Sequence, residues 1–381
     1  MRIWLFACLI VSLSPEMAGI YVHIPFCKSR CIYCGFYSTT SIALRQQYVD
    51  ALCKEIEMRS DDALIETIYL GGGTPSQLSI PQLHQLFDTL YKYNKVSEEA
   101  EVTIECNPDD VTKAFAKGIS LLPVNRVSMG TQTFNDERLR FLRRRHTSGQ
   151  VGAAVDRLRE AGISNLSIDL MYGFPEETLE DWEADIRQVC SLQVEHISSY
   201  CLIIEEDTPL ERLGIEPCDE ETERTMYYTL IDRLEAAGYE HYEISNFAKP
   251  DYRSHHNSSY WTGIPYIGIG AAAHSFDGKS RSWNINDIQQ YMAKLQQGQR
   301  QYDEELLDED TRYNDTITVA LRTREGLDLT RLSNTHRQYC LKNAKRFIDN
   351  GLLRIDEGRL HLTLRGLFVS DMIMSELMIV D

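Results

Sequence analysis

The chain has 381 residues, of which 43% are hydrophobic and 25% are charged, and this globular composition excludes a disordered or collagen-like protein. With 39 Lys and Arg against 57 Asp and Glu, the formal net charge is −18, so we do not expect nucleic acid as a partner. Three of the ten cysteines crowd between residues 27 and 34, which is typical of a metal site in a reducing compartment rather than of disulfides. We therefore expect a cytoplasmic protein with one thiolate-rich site.

Residues 1–16 look like a secretion signal, because Met1 and Arg2 precede an apolar run that is too short to span a bilayer. Export would carry the thiolate site into an oxidising space. Met17 directly precedes a strand-like segment and is a plausible start. We expect residues 1–16 to be a mis-assigned extension, with a signal-like leader as the alternative.

Short β-rich runs alternate with longer segments of helical periodicity between residues 19 and 237. The predicted strands are 19–23, 68–70, 102–105, 126–129, 166–170 and 196–202, and the predicted helices are 48–58, 82–91, 151–161, 182–192 and 223–237. This alternation predicts an α/β fold with a parallel sheet. Because a Gly-x-Gly-x-x-Gly turn is missing, we expect a full or partial (β/α) barrel, whose functional residues lie at the C-terminal ends of the strands.

The pattern changes after residue 285, where a Gln-rich segment and an acidic segment lead into short helices at 315–321 and 338–350 and a hairpin at 352–364. We expect residues 17–285 to form the barrel and residues 286–381 to form a small α+β domain of winged-helix type. The segment has no concentrated basic helix, so a structural or lid role is favoured over DNA binding.

Cys27, Cys31 and Cys34 form a C-x3-C-x2-C motif in the loop after the first predicted strand. Thiolates suit iron–sulfur clusters and zinc alike, and His23 is the nearest fourth ligand for a tetrahedral zinc site. The position at the catalytic face of a barrel favours a [4Fe–4S] cluster, in which three cysteines leave one iron open for a chelating small molecule.

The cysteine motif resembles the signature of radical S-adenosylmethionine (SAM) proteins. The preceding segment 21–26 (YVHIPF) and the later motifs resemble the coproporphyrinogen III oxidase-like branch of that superfamily, and within it the heme chaperones. The likeness runs from about residue 18 to the C-terminus. It implies a radical SAM barrel with a [4Fe–4S] cluster on the three cysteines, SAM on the open iron, and heme as a further ligand.

The resemblance also implies which residues bind SAM. The glycine-rich turn 71–76 (GGGTPS) follows the second predicted strand, and glycines there let the backbone approach a ligand closely. Arg144 could pair its forked donors with the SAM carboxylate, although Arg143 and Arg145 are adjacent alternatives. The implied SAM residues are Tyr21, Tyr33 (facing adenine), Gly72, Gly73, Thr74, Glu105, Gln132, Arg144 and Asp169 (facing the ribose).

Two features separate the heme chaperones from the oxidases of this branch. The oxidases have a further cysteine two residues after the third cluster ligand, and Phe36 occupies that position here. The segment 256–261 (HNSSYW) resembles the H-N-x-x-Y-W motif of the chaperones. His256 is the candidate heme ligand, with His255 and His274 as rivals, and Tyr260 and Trp261 could stack on a porphyrin.

The resemblance implies a heme chaperone rather than an enzyme, which transfers heme to acceptor hemoproteins. These acceptors would be respiratory enzymes, which would bring the chain to the inner face of the cytoplasmic membrane. The enzymatic alternative is an oxygen-independent coproporphyrinogen III oxidase, and the non-redox alternative is a zinc-stabilised interaction protein. Radical chemistry and oligomeric state are left open by the sequence.

Overall fold

The computed structural model describes residues 17–380, so the signal-like run 1–16 lies outside the described residues. The strands are β1 (Met17–Ile24), β2 (Leu64–Gly72), β3 (Lys95–Cys106), β4 (Arg126–Gln132), β5 (Asn165–Tyr172), β6 (His196–Cys201), β7 (Glu240–Glu243), β8 (Asn246–Ala248), β9 (Tyr266–Ile269), β10 (His274–Phe276), β11 (Ser280–Asn284), β12 (Tyr302–Leu306), β13 (Leu327–Asp328), β14 (Leu353–Asp356) and β15 (Arg359–Leu362). The helices are α1 (Arg45–Met58), α2 (Ile80–Tyr93), α3 (Lys113–Ile119), α4 (Asp136–Phe141), α5 (Ser148–Glu160), α6 (Leu179–Ser191), α7 (Glu220–Ala236), α8 (His255–Thr262), α9 (Ile288–Gln296), α10 (Glu309–Ala320), α11 (Asn334–Asp349), α12 (Leu364–Leu367) and α13 (Ser370–Leu377).

Twelve strands form one mixed sheet in the order β12-β11-β10-β9-β1-β2-β3-β4-β5-β6-β8-β7. Strands β1 to β6 are parallel neighbours, and β9 pairs with β1 in parallel. The outer strands pair antiparallel with their neighbours, β10 to β12 on the side of β9 and β8 and β7 on the side of β6. The predicted α/β fold is confirmed, and the C-terminal ends of six parallel strands face one end of the sheet.

Local sequence signals set the helix ends of the βα units. Helix α5 begins with a capping box formed by Thr147 and Gln150, and α6 begins with one formed by Thr178 and Asp181. Gly162 follows α5 with a φ of 93°, a left-handed conformation that glycine adopts without strain. Apolar side chains of the strands and helices are fully buried in the core, and burying each one stabilises the fold by about 1.5–3 kcal/mol. They include Leu70, Ile104, Val127, Ile168 and Leu158.

The C-terminal part carries its own small antiparallel sheet, β13-β15-β14. Its apolar core includes Leu321, Leu327, Phe347, Leu360 and Ile373. The predicted small α+β unit is therefore present. The boundary after residue 285 stays a prediction, and α9 and β12, which follow it, pack on and pair with elements of the main sheet.

The predicted strands and helices of residues 19–237 are all present, with ends shifted by one to several residues. The short strands β7 to β12 and helix α8 were not predicted. Most of these strands have three to five residues, too few for an alternating pattern to stand out. Within residues 17–380, no helix is long and apolar enough to cross a membrane.

Candidate functional site

A cavity of about 660 Å³ lies where the parallel strands end. The cysteine loop lines one side of it, and residues at or near the ends of β2 to β6 line the rest. Most of the predicted cluster and SAM residues meet here: Cys27, Cys31, Cys34, Tyr33, Gly72, Gly73, Thr74, Glu105, Gln132, Arg144 and Asp169. Residues far apart in sequence therefore converge on one concave site, as expected for the C-terminal face of a barrel.

The cysteine loop is tied to the sheet by its own backbone. The amide of Cys27 donates to the carbonyl of Thr39 at 2.9 Å, and the amide of Thr39 donates to that of Pro25 at 2.7 Å. The Cys27 Sγ atom lies 3.4 Å from the Thr74 hydroxyl, which links the loop to the glycine-rich turn. Burial raises the pKa of the Cys27 and Cys34 thiols, so the free site favours protonated sulfur.

The donor set fits a cluster better than a single ion. Among residues 17–380, no three His, Cys, Asp or Glu side chains gather around one point closely enough to hold one metal ion. A [4Fe–4S] cluster does not require such a point, because each thiolate binds a different iron. Arg144 places Nη1 3.6 Å from the Cys31 sulfur, close enough for a hydrogen bond to it.

The glycine-rich turn is held against the end of β3 by Glu105. The carboxylate of Glu105 accepts hydrogen bonds from the Tyr69 hydroxyl at 2.8 Å and from the Gly72 amide at 3.1 Å. Gly72 has a φ of 103°, and a Cβ atom there would lie 2.3 Å from the His23 ring. Burial raises the pKa of Glu105 to about 7, so this carboxyl group can change protonation near neutral pH.

Arg144, Gln132 and Asp169 also line the cavity. Arg144 donates to the Asn107 side chain at 2.7 Å and to the carbonyl of Gly130, and its Nε atom is buried with no hydrogen-bond partner in the described part of the chain. Gln132 ends β4 with a φ of 71°, a strained conformation that often marks a functional position. Asp169 accepts from the Ser128 hydroxyl at 3.2 Å, and burial raises its pKa to about 6.

The remaining predicted residues do not line the cavity. Tyr21 hydrogen-bonds His23 at 3.1 Å, and its ring stacks on those of Tyr69 and His256. His256 is 1% exposed, and its Nδ1 and Nε2 atoms lie 2.7 Å from the Thr67 hydroxyl and 2.9 Å from the Tyr260 hydroxyl. Both ring nitrogens of His256 therefore already have a hydrogen-bonding partner in this conformation.

A carboxylate on β3 binds the first amides of helix α8, which carries this histidine motif. Glu101 on β3 accepts hydrogen bonds from the amides of His255 at 3.0 Å and His256 at 2.9 Å. A carboxylate at a helix N-terminus satisfies otherwise unpaired amides and the helix dipole. Asn257, next in the motif, reaches the cavity, whereas the Nε1 atom of Trp261 is buried and has no hydrogen-bond partner within residues 17–380.

Sequence reasoning missed several cavity residues, among them Arg126, Ser198, Tyr200 and Asn257. Arg126 is the most informative of them, because it is 1% exposed and opens a strand of buried residues. An ionisable residue on a predicted strand, in alternation with the apolar Val127 and Met129, was the signal that could have revealed it.

Comparison with known proteins extends these observations. Residues 21–189 match the model of the radical SAM superfamily, and residues 307–369 match that of the HemN C-terminal domain. The structure of coproporphyrinogen III oxidase (HemN) from Escherichia coli, described as a radical SAM enzyme, superposes with a TM-score of 0.84. The alignment covers 96% of this chain and 91% of that chain at 24% identity, so it shows the fold: a radical SAM partial barrel with a HemN-type C-terminal domain.

Relatives in two bacteria match almost end to end. The heme chaperone HemW of Lactococcus lactis is 32% identical over 95% of this chain and 97% of its own length. The heme chaperone HemW of Bacillus subtilis is 33% identical over 92% of this chain and 96% of its own length. On this similarity, the chain belongs to the HemW heme chaperone family of radical SAM proteins.

Proposed function

We propose that this chain binds a [4Fe–4S] cluster, SAM and heme, and transfers heme to acceptor hemoproteins. The observation that carries the proposal is the convergence of the three thiols, Arg144, Glu105 and Asp169 on one cavity. The names of its full-length relatives support the chaperone activity. By the family resemblance, the acceptors would be respiratory enzymes at the inner face of the membrane.

In this proposal, Cys27, Cys31 and Cys34 hold the cluster, which would supply one-electron chemistry when bound. Raised thiol pKa values mean that loading must release protons, so cluster assembly is favoured at higher pH. Arg144 lies beside Cys31, its Nε atom has no hydrogen-bond partner among the described residues, and it is suited to the SAM carboxylate. Glu105 and Asp169 offer acceptors for the SAM ammonium and ribose hydroxyls.

Apolar side chains at the mouth of the cavity are suited to binding a large apolar ligand. Phe36, Tyr200 and Ile203 line the cavity, yet they are 71%, 45% and 66% exposed. Exposed apolar side chains grouped at a cavity mouth mark a binding surface, and a flat porphyrin fits that chemistry. Phe36 also occupies the position at which the related oxidases have a further cysteine.

His256 stays the proposed axial ligand, and its hydrogen bonds set a condition for that role. Iron could bind Nε2 only if the Tyr260 hydroxyl gave up its 2.9 Å contact, and Nδ1 only if Thr67 did so. His255, one residue earlier, is exposed and is the rival ligand in the same motif.

The decisive experiment is anaerobic reconstitution, followed by heme titration and transfer to an apo-hemoprotein. We expect four irons with acid-labile sulfide, a stable heme complex, and activation of the acceptor. A Cys27→Ala/Cys31→Ala/Cys34→Ala variant should lose the cluster, whereas the matched Cys190→Ala variant, changed on the distant helix α6, should retain it. Zinc without sulfide, or a protein that binds no heme, would contradict the proposal. Formation of protoporphyrinogen from coproporphyrinogen III with SAM and a reductant would instead show the oxidase activity.

A further inference from the structure

Arg126 presents a charged side chain to the cavity without the partners that a buried guanidinium needs. Its residue is 1% exposed, and it lines the cavity. Its Nε and Nη1 atoms are buried and have no hydrogen-bond partner among residues 17–380. Because an unpaired buried donor is costly, and a charged one more so, the fold holds this group against a clear energetic penalty.

The pleat of β4 shows where the side chain lies. Arg126, Ser128 and Gly130 line the cavity, whereas the intervening Val127 and Met129 belong to the apolar core. Gly130 lies four positions after Arg126 along the strand, a distance of about 13 Å. Since Arg144 donates to the carbonyl of Gly130, the two arginines stand at different depths, with Arg126 on the floor.

The nearby carboxyl groups of Glu105 and Asp169 interact electrostatically with Arg126 but do not accept hydrogen bonds from its Nε and Nη1 atoms. Glu105 already accepts from Tyr69 and Gly72, and Asp169 accepts from Ser128. Burial raises the pKa of both carboxyl groups, and the charge of Arg126 acts in the opposite direction. The two carboxyl groups therefore favour the charged guanidinium. Its Nε and Nη1 donors, which have no partner among residues 17–380, are available to a ligand in the cavity.

We propose that Arg126 binds a carboxylate of an organic ligand that occupies the deep part of the cavity. Arginine presents a fork of donors that matches a carboxylate. In the proposed function, the single SAM carboxylate lies near Arg144 and the cysteines, so the carboxylate at Arg126 belongs to the second ligand and is a heme propionate. That last assignment rests on the proposed function, whereas the carboxylate site itself rests on the geometry of Arg126.

The test compares ligands with and without the carboxylate. Heme and heme dimethyl ester are titrated into reconstituted wild-type, Arg126→Met and Arg126→Lys proteins, and SAM and decarboxylated SAM form a second pair. We expect wild type to prefer heme over its ester by at least tenfold. Arg126→Met should remove that preference, and Arg126→Lys, which retains the charge without the fork, should keep part of it.

Two controls keep the outcome interpretable. Arg126→Met should unfold at the same or a higher temperature, because it removes an unpaired buried charge and fills a similar volume. Arg157→Met, on helix α5 outside the cavity, should leave both ligand preferences unchanged.

The possible results distinguish the existence of a carboxylate site at Arg126 from its assignment to a heme propionate. If only the SAM preference disappears in Arg126→Met, the carboxylate site is supported and its assignment to heme is overturned. If neither preference changes, the proposal is overturned as a whole. If wild type binds no heme, the proposed function fails and the SAM pair alone decides the role of Arg126.

Discussion

The Nζ atom of Lys28 lies 2.9 Å from an oxygen of Asp110, and this ion pair joins the cysteine loop to the turn after β3. Asp110 is buried and also accepts from the Ser76 hydroxyl at 3.0 Å and from Arg145 at 2.9 Å. One carboxylate thus connects the cysteine loop, the glycine-rich turn and the segment that carries Arg144. These three segments supply the proposed cluster and SAM contacts.

Asp110→Asn should weaken cluster retention, because it keeps the size of the side chain but removes the charge that holds the three segments together. We expect the free energy of unfolding to fall by about 2 kcal/mol, the range for hydrogen bonds to charged groups. The measurement is iron content after reconstitution and the rate of iron loss to a chelator.

Lys28→Met and the double variant complete a cycle that isolates the pair itself. Asp88→Asn, at an exposed carboxylate on α2, is the matched control and should retain iron as wild type does. Iron loss at the wild-type rate in Asp110→Asn would show that the loop is held by its backbone contacts alone.

The part of this site that lies in recognisable motifs or at the ends of predicted strands was predictable from the sequence. Glu105 and Asp169 lie at the C-terminal ends of the predicted strands 102–105 and 166–170, and parallel strands must bring such residues to the same end of a sheet. The cysteine motif and the glycine-rich turn were placed in the same way. The prediction worked because strand order and direction alone determine that convergence.

The contacts that were not predictable depend on tertiary packing. Helix α8 packs against the sheet through contacts distant in sequence, among them those of its first amides with Glu101 on β3 and of His256 with Thr67 on β2. The motif itself gave no indication that both imidazole nitrogens would be occupied. That Nε and Nη1 of Arg126 lack hydrogen-bond partners among residues 17–380 likewise depends on the side chains that neighbouring strands bring beside it, which sequence periodicity does not set.

Gly72→Ala and Gly152→Ala should shift stability in opposite directions. At Gly72 the new Cβ would lie 2.3 Å from the His23 ring with a φ of 103°, so we expect a loss of more than about 2 kcal/mol. At Gly152, within α5, the Cβ would lie 3.7 Å from Leu192, and alanine should stabilise the helix by about 0.5–1 kcal/mol. Chemical denaturation measures both, and equal effects would contradict the packing argument.

The pH dependence of stability should reveal the buried carboxyl group of Glu105. Its pKa is about 7 in the folded protein and about 4.3 in an unfolded chain, so folding favours the protonated form. The resulting stabilisation is complete below pH 4.3 and is lost as the pH rises through 7, by about 4 kcal/mol at most. Glu105→Gln should flatten this loss, whereas Glu137→Gln, at an exposed position, should follow wild type. The measurement is the free energy of unfolding of cofactor-free protein between pH 5 and 8, and parallel curves for wild type and Glu105→Gln would contradict it.

Tyr260→Phe should strengthen heme binding if His256 is the axial ligand. The substitution removes the hydroxyl that lies 2.9 Å from His256 Nε2 but retains an aromatic ring, so the nitrogen is freed at little cost in packing. We expect a severalfold gain in heme affinity with a histidine-ligated spectrum, and loss of that spectrum in His256→Ala. His255→Ala is the matched control and should resemble wild type, because its imidazole is exposed. The opposite pattern, in which Tyr260→Phe has no effect and His255→Ala loses the spectrum, would move the ligand to His255 and leave His256 as a buried contact between Thr67 and Tyr260.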